Sequence, residues 1–168
     1  MTKSKTTVTA APNGKELLFT CEFDAPRELV WKAWTDPKLI AQWWGPNGVT
    51  NPVCEFEARR NGALHIVALA GEAMGALKGS RWPMKGVVKE VKEPTRLVFT
   101  TTALRGDEER PILENLNTVT FEEHEGKTKV TLHIVIVKVM PEAEGSLEGM
   151  KWGWPQSFDK LAAIISTL

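Results

Sequence analysis

Hydrophobic and polar positions alternate with period two along most of this chain, and the period lengthens to that of a helix near each end. Lys15 to Phe23 alternates loosely and predicts a first strand. Pro26–Thr35 then reads as a short helix. Asp24 offers a cap, and Pro26 stands at a first helical position, where its missing N–H would be unpaired anyway. Asp36-Pro37 repeats the start signal for a second helix, Pro37–Trp44, which stops before Gly45-Pro46. Pro52–Arg59 returns to alternation. It places Cys54, Phe56 and Ala58 on one face and Glu55, Glu57 and Arg59 on the other. Arg60-Asn61-Gly62 is a tight turn, because Asn-Gly tolerates positive φ.

The next strand, Ala63–Leu69, puts Leu64, Ile66 and Ala68 on an apolar face. A glycine-punctuated hairpin loop covers Ala70–Ser80. Trp82–Val91 follows, with Lys85 and Lys89 wet and Trp82, Met84, Gly86 and Val88 inward. Glu93-Pro94 turns the chain into Leu97–Ala103. Arg105–Pro111 is an exposed charged loop. Glu114–Glu123 carries Val119 and Phe121 inward, and Glu125-Gly126-Lys127 turns into Lys129–Val139, where Val130, Leu132, Ile134 and Ile136 share a face. From about Glu142 to Thr167, Leu147, Met150, Trp154, Phe158, Leu161, Ile165 and Leu168 recur at steps of three and four. That makes one apolar helical stripe, and the sheet is its natural cover. The period alone therefore predicts an α+β fold of one sheet layer and one helix layer.

The opening segment, from Phe23-Asp24-Ala25-Pro26 to Trp43-Trp44-Gly45-Pro46, joins several further motifs. These are Asn51-Pro52-Val53-Cys54-Glu55-Phe56, Arg81-Trp82-Pro83-Met84-Lys85-Gly86, Arg96-Leu97-Val98-Phe99-Thr100, Asn117-Thr118-Val119-Thr120-Phe121-Glu122-Glu123, and Gly149-Met150 with Gly153-Trp154. Together they resemble the Activator of Hsp90 ATPase homologue 1-like (AHSA1-like) family of the START-like, SRPBCC superfamily. The resemblance covers residues 15–168. It implies a helix-grip (Bet v 1-like) fold, in which a curved antiparallel sheet wraps around the long C-terminal helix. Residues 1–14 are expected to be a flexible polar tail before that single domain. Relatives carry a Gly-Gly pair and an aromatic residue in the second hairpin. Asn61-Gly62-Ala63-Leu64 stands there in this chain, and the smaller Leu64 leaves more room inside. Pro155 is a second departure. Inside a helix it removes one hydrogen bond and clashes with the carbonyl of Lys151, so a kink is expected there.

Composition narrows the function. Lys+Arg and Asp+Glu are equal, at 21 each, with a pI near 6.8. A balanced chain has no electrostatic footprint for nucleic acid. No apolar run approaches a membrane span, and Met1–Gly14 lacks the apolar core of a secretory signal. A cytoplasmic address is expected. Cys21 and Cys54, the only cysteines, read as free thiols in strands.

The chain carries no recognisable catalytic constellation. Gly71, Gly75 and Gly79 do not follow the phosphate-loop pattern. His65, His124 and His133 are scattered, and nothing clusters at metal-ligand spacing. No metal and no cofactor are expected. What remains is space between sheet and helix. Its candidate lining is Trp43, Trp44, Phe56, Ala58, Leu64, Ile66, Trp82, Met84, Val119, Trp154 and Phe158, with Thr100, Thr102 and Asn117 as possible polar anchors. The superfamily resemblance implies a site for a small apolar or aromatic ligand there. It also implies two alternatives: an enzyme, natural or engineered, doing hydrolase-, cyclase- or lyase-type chemistry in that cavity, or a co-chaperone whose partner is an Hsp90 homologue. Exposed tryptophans leave room for a homodimer.

Overall fold

The computed structural model describes residues 6–10, 15–105 and 110–168. Eight antiparallel strands form one sheet, in the order β1-β2-β8-β7-β6-β5-β4-β3. The strands are β1 (Thr6–Ala10), β2 (Glu16–Phe23), β3 (Val49–Phe56), β4 (Ala63–Ala70), β5 (Arg81–Lys92), β6 (Arg96–Arg105), β7 (Arg110–His124) and β8 (Lys127–Val139). Helices α1 (Arg27–Thr35) and α2 (Pro37–Trp43) connect β2 to β3. Helix α3 (Glu144–Ile165) closes the concave face. Alternation decides which side chains meet α3: β8 buries Val130, Leu132, Ile134 and Ile136, every second residue, as a half-covered strand requires. The sheet and terminal helix make this a helix-grip fold.

Several expectations are corrected. The segment expected to be a polar tail contributes β1, which pairs with β2 from Thr6 opposite Cys21 to Ala10 opposite Leu17. The charged loop expected over Arg105–Pro111 is shortened, because Arg105 pairs with Arg110; residues 106–109 lie outside the described residues. The glycine-rich loop contains a 3-10 helix, Glu72–Leu77. Asp24 does not cap α1. Pro26 is itself the N-cap, and the Arg27 amide donates instead to Glu123 Oε1, 2.7 Å away on β7. The α2 start is built as read, with Asp36 accepting from the Lys38 amide at 2.9 Å. Helix α3 continues through Pro155 from Glu144 to Ile165. The proline does not end it.

Two clusters pack α3 against the sheet. The larger gathers aromatic rings around α1, α2 and the second half of α3. Trp154 is its hub, with ring centroids 5.2–6.5 Å from Phe19, Trp34, Trp43, Trp44 and Phe158. Aromatic pairs at such distances add to what burial alone supplies. The smaller joins Leu113, Ile136 and Ala143 to Leu147 and Met150, near the start of α3.

Candidate functional site

Between these clusters the sheet and helix do not meet. They leave a cavity of about 580 Å³, within the range of small-molecule sites, roughly 300–1,000 Å³. The sheet supplies its floor through inward positions of β4 to β8: Ile66 and Ala68, Trp82 and Met84, Thr101 and Ala103, Leu113, Asn115 and Asn117, and Ile134. Helix α3 supplies the roof with Ser146, Gly149, Met150, Gly153, Trp154 and Ser157, again at steps of three and four. Met74 and Leu77 of the 3-10 helix and the Trp44-Gly45-Pro46 turn close the sides.

Small residues create the space. Ala68 and Ala103 stand where larger side chains would reach the helix. A Cβ on Gly149 would meet nothing within 4 Å. The turn at Gly45–Asn47 is held firmly to α3. Ser157 Oγ donates to the Gly45 carbonyl at 2.8 Å, Lys160 Nζ donates to the Pro46 carbonyl at 3.2 Å, and the Asn47 amide donates to Gln156 Oε1 at 2.8 Å. Burial pushes the Lys160 ammonium below the usual lysine range, because a half-buried charge loses solvation.

The structure brings together Trp44, Ile66, Trp82, Met84 and Trp154 from the candidate set. The remaining candidates lie elsewhere. Trp43 is sealed between α1 and α2, where its indole N–H donates to the Ala33 carbonyl at 2.9 Å. Adjacent helical residues diverge by about 100°, so Trp43 enters the core while Trp44 faces the cavity. Phe56 packs edge-on against Phe99, at a centroid distance of 5.9 Å. Leu64, Val119 and Phe158 are buried in the larger cluster. Ala58 is exposed, because β3 ends at Phe56 and the chain has left the sheet.

The polar anchors shift by one position. Asn117 does face inward. Thr100 points out and accepts from the Val87 amide at 3.0 Å, and Thr101 is the inward threonine, opposite Asn115 on β7. Neither Thr101 nor Asn115 was singled out from the sequence. The signal was available: Asn115 shares the parity of Val119 and Phe121, and Thr101 that of Leu97 and Phe99. Asn117 Nδ2 donates to Thr101 Oγ1 at 3.1 Å and to the Phe99 carbonyl at 3.2 Å.

Among the described residues, no Asp, Glu, His, Lys, Arg or Cys lines this cavity. His133 pairs with Glu16 on the other side of the sheet, at 2.9 Å. Cys54 lies outside the cavity lining, and its thiol is pushed up to about 11 by burial, with the neighbouring Glu55 carboxylate adding to the shift. No group of three or more potential metal ligands occurs among the described residues. No described helix is long and apolar enough to cross a membrane.

A curved sheet gripping one helix across an apolar cavity defines a protein of the START-like, helix-grip class. Within that class, the chain belongs to the family described as Activator of Hsp90 ATPase homolog 1-like protein, which matches residues 24–166. Solved structures agree in fold. A protein from Rhodobacter sphaeroides superposes with a TM-score of 0.78 at 22% identity, covering 98% of this chain and 100% of that one. One from Arthrobacter aurescens gives 0.79 at 20% identity, covering 96% and 92%. The AHSA1 protein from Silicibacter pomeroyi gives 0.73 at 27% identity, covering 90% and 98%. Among curated proteins, none matches the sequence.

Proposed function

We infer that this protein binds a small apolar or aromatic molecule in the cavity between α3 and the sheet. One observation carries the reading: a space of about 580 Å³ whose wall is mostly apolar and holds no titratable side chain among the described residues. Such a wall rewards the transfer of apolar surface out of water. It offers no acid or base to move a proton or to activate the hydroxyls of Thr101, Ser146 and Ser157, so binding is favoured over acid–base or nucleophilic catalysis. Trp44, Trp82 and Trp154 give it flat faces on which an aromatic ring can pack.

The test is a titration of the full chain with neutral aromatic and aliphatic molecules, read by tryptophan emission and by melting temperature. A ligand that binds only the folded state raises the melting temperature, by an amount equivalent to about 2.7 kcal/mol at a hundred times its Kd. A saturable change in both signals is expected for at least one chemical class. Flat signals across the panel would overturn the reading. The search would then move to a protein partner, beginning with an Hsp90-type ATPase.

A further inference from the structure

We propose that this chain forms a two-fold symmetric homodimer in which β1 pairs antiparallel with β1 of a second copy and Trp152 packs over the joint. The inference is independent of the cavity. The sheet has two edges, β1 and β3, and they differ. An open edge is a row of unpaired N–H and C=O groups that invites another strand, so proteins blunt it with proline, a bulge or a covering element. β3 carries all three. Pro52 removes a donor, the ladder to β4 shifts register between Thr50 and Val53, and Asn51 Nδ2 ties the strand to the end of α2 through the Ala41 carbonyl at 3.1 Å and the Trp44 carbonyl at 2.9 Å. β1 carries none. It reads Thr-Thr-Val-Thr-Ala, without proline, glycine or charge, and among the described residues it pairs with β2 and with no other strand.

A second observation falls on the same edge. Trp152 of α3 is 74% exposed, more than any other large hydrophobic side chain among the described residues. With Glu148 and Lys151 it surrounds a hollow beside Val8 of β1. Val8 is half-buried against the larger core cluster, whereas Thr7 is exposed. A tryptophan can bury roughly 150–250 Å², and this one leaves most of that in water. A strand added about 4.8 Å beyond β1 extends the sheet on this side of α3 and gives the indole a surface to pack on.

The occupant is a second copy because the edge is complementary to itself. A two-fold axis at Val8, the middle residue of β1, sets Val8 opposite Val8 of the partner subunit and Thr7 opposite Thr9 of the partner subunit. No like charges then face each other across the joint. The rim is balanced as well. Lys151 Nζ donates to Glu148 Oε1 at 2.9 Å, so the patch carries no net charge that would select an acidic or a basic partner. The chain itself has a formal net charge of zero, so two copies meet without long-range repulsion. The five residues of β1 span about 17 Å. With two tryptophans the joint stays below the roughly 1,200 Å² of a standard interface, so the association is weak and depends on concentration.

Sedimentation equilibrium of the full chain decides it, at concentrations up to about 1 mM, where even a millimolar affinity is visible. The mass is expected to rise with concentration from 18.7 kDa toward twice that value. Trp152→Ala should weaken the association about tenfold or more. Val8→Lys sets two ammonium groups opposite each other across the axis and should abolish it. Neither residue lines the cavity, and circular dichroism checks that both variants fold. A wild type that stays at 18.7 kDa throughout would overturn the proposal and leave this edge to a strand from another protein. A dimer that either variant leaves unweakened would overturn it too, because the copies would then meet elsewhere. Should Val8→Lys not fold, Trp152→Ala, at an exposed site, decides alone.

Discussion

Ala68→Phe should stabilise this protein while abolishing its ligand binding, a pairing of signs that only a real cavity allows. Ala68 is on the inward face of β4, opposite Trp82 on β5, and lines the cavity. A strand fixes the direction of its side chains, so a ring at this position projects into the open space. Burying a phenylalanine side chain contributes about 1.5–3 kcal/mol. Ordering it costs roughly 0.5–1 kcal/mol. The net gain is about 1–2 kcal/mol, equivalent to about 2–8 °C in melting temperature for a chain of this size. Leu64→Phe is the control. It lies on the same strand and face, four residues away, but in the packed cluster at 2% exposure. Overpacking there should destabilise by about 1–3 kcal/mol. The assay is thermal unfolding of both variants beside titration with 4-hydroxybiphenyl. If Ala68→Phe melts lower than wild type, the space is not available and the packing argument fails. If it melts higher yet binds the probe unchanged, the probe sits elsewhere.

Three further outcomes follow from the fold. Gly86→Ala places a Cβ 1.9 Å from the Thr100 carbonyl oxygen. That is a backbone clash no side-chain rotation relieves, so chemical denaturation should show a loss of at least about 1–3 kcal/mol; a silent substitution would mean that β5 and β6 separate freely here. Pro155→Ala restores an N–H and removes a ring from the interior of α3. Its melting temperature should rise, with a gain of up to about 3 kcal/mol; an unchanged value would mean that the helix already accommodates the ring at no cost. Glu142, in the 3-10 turn Pro141–Ala143 that leads into α3, is tied to the β6–β7 hairpin through Arg110 and Arg105, and their hydrogen bonds, Arg110 first, hold its carboxyl below the usual glutamate range. A depressed carboxylate stabilises the fold above its unfolded value of 4.5 and loses that contribution as pH falls through its lower folded value. The stability difference between wild type and Glu142→Gln should therefore be constant at neutral pH and shrink in the acid range below 4.5; a difference that persists unchanged there would remove the carboxylate from the clamp.

Much of the fold was legible in the chain because its causes are local. Alternation in Lys129–Val139, the stripe from Leu147 to Ile165 and the Asp36-Pro37 helix start each depend on neighbours within a few residues, and each appears where the pattern placed it. Strand β1 was not legible. Thr6–Ala10 is short, and its pairing with β2 depends on a partner strand rather than on its own pattern. The parity of the β6 threonines was legible only indirectly: Thr100 to Thr102 have the same side chain, so the inward one follows from Leu97 and Phe99 earlier on the strand, and pairing with β7 fixes it.

The sequence by itself determined which faces must be buried, and therefore that a sheet and a helix close on each other. Only the tertiary structure decided how completely they close. Whether an inward aromatic residue packs or lines a void depends on what stands across from it, often a hundred residues away in the chain. Phe158 meets Phe19, Phe23 and Trp34 and is core. One turn earlier, Trp154 has rings on one side and open space on the other. Ala68, Ala103 and Gly149 leave that space because they are small and face one another across the sheet and helix. No local pattern records that coincidence.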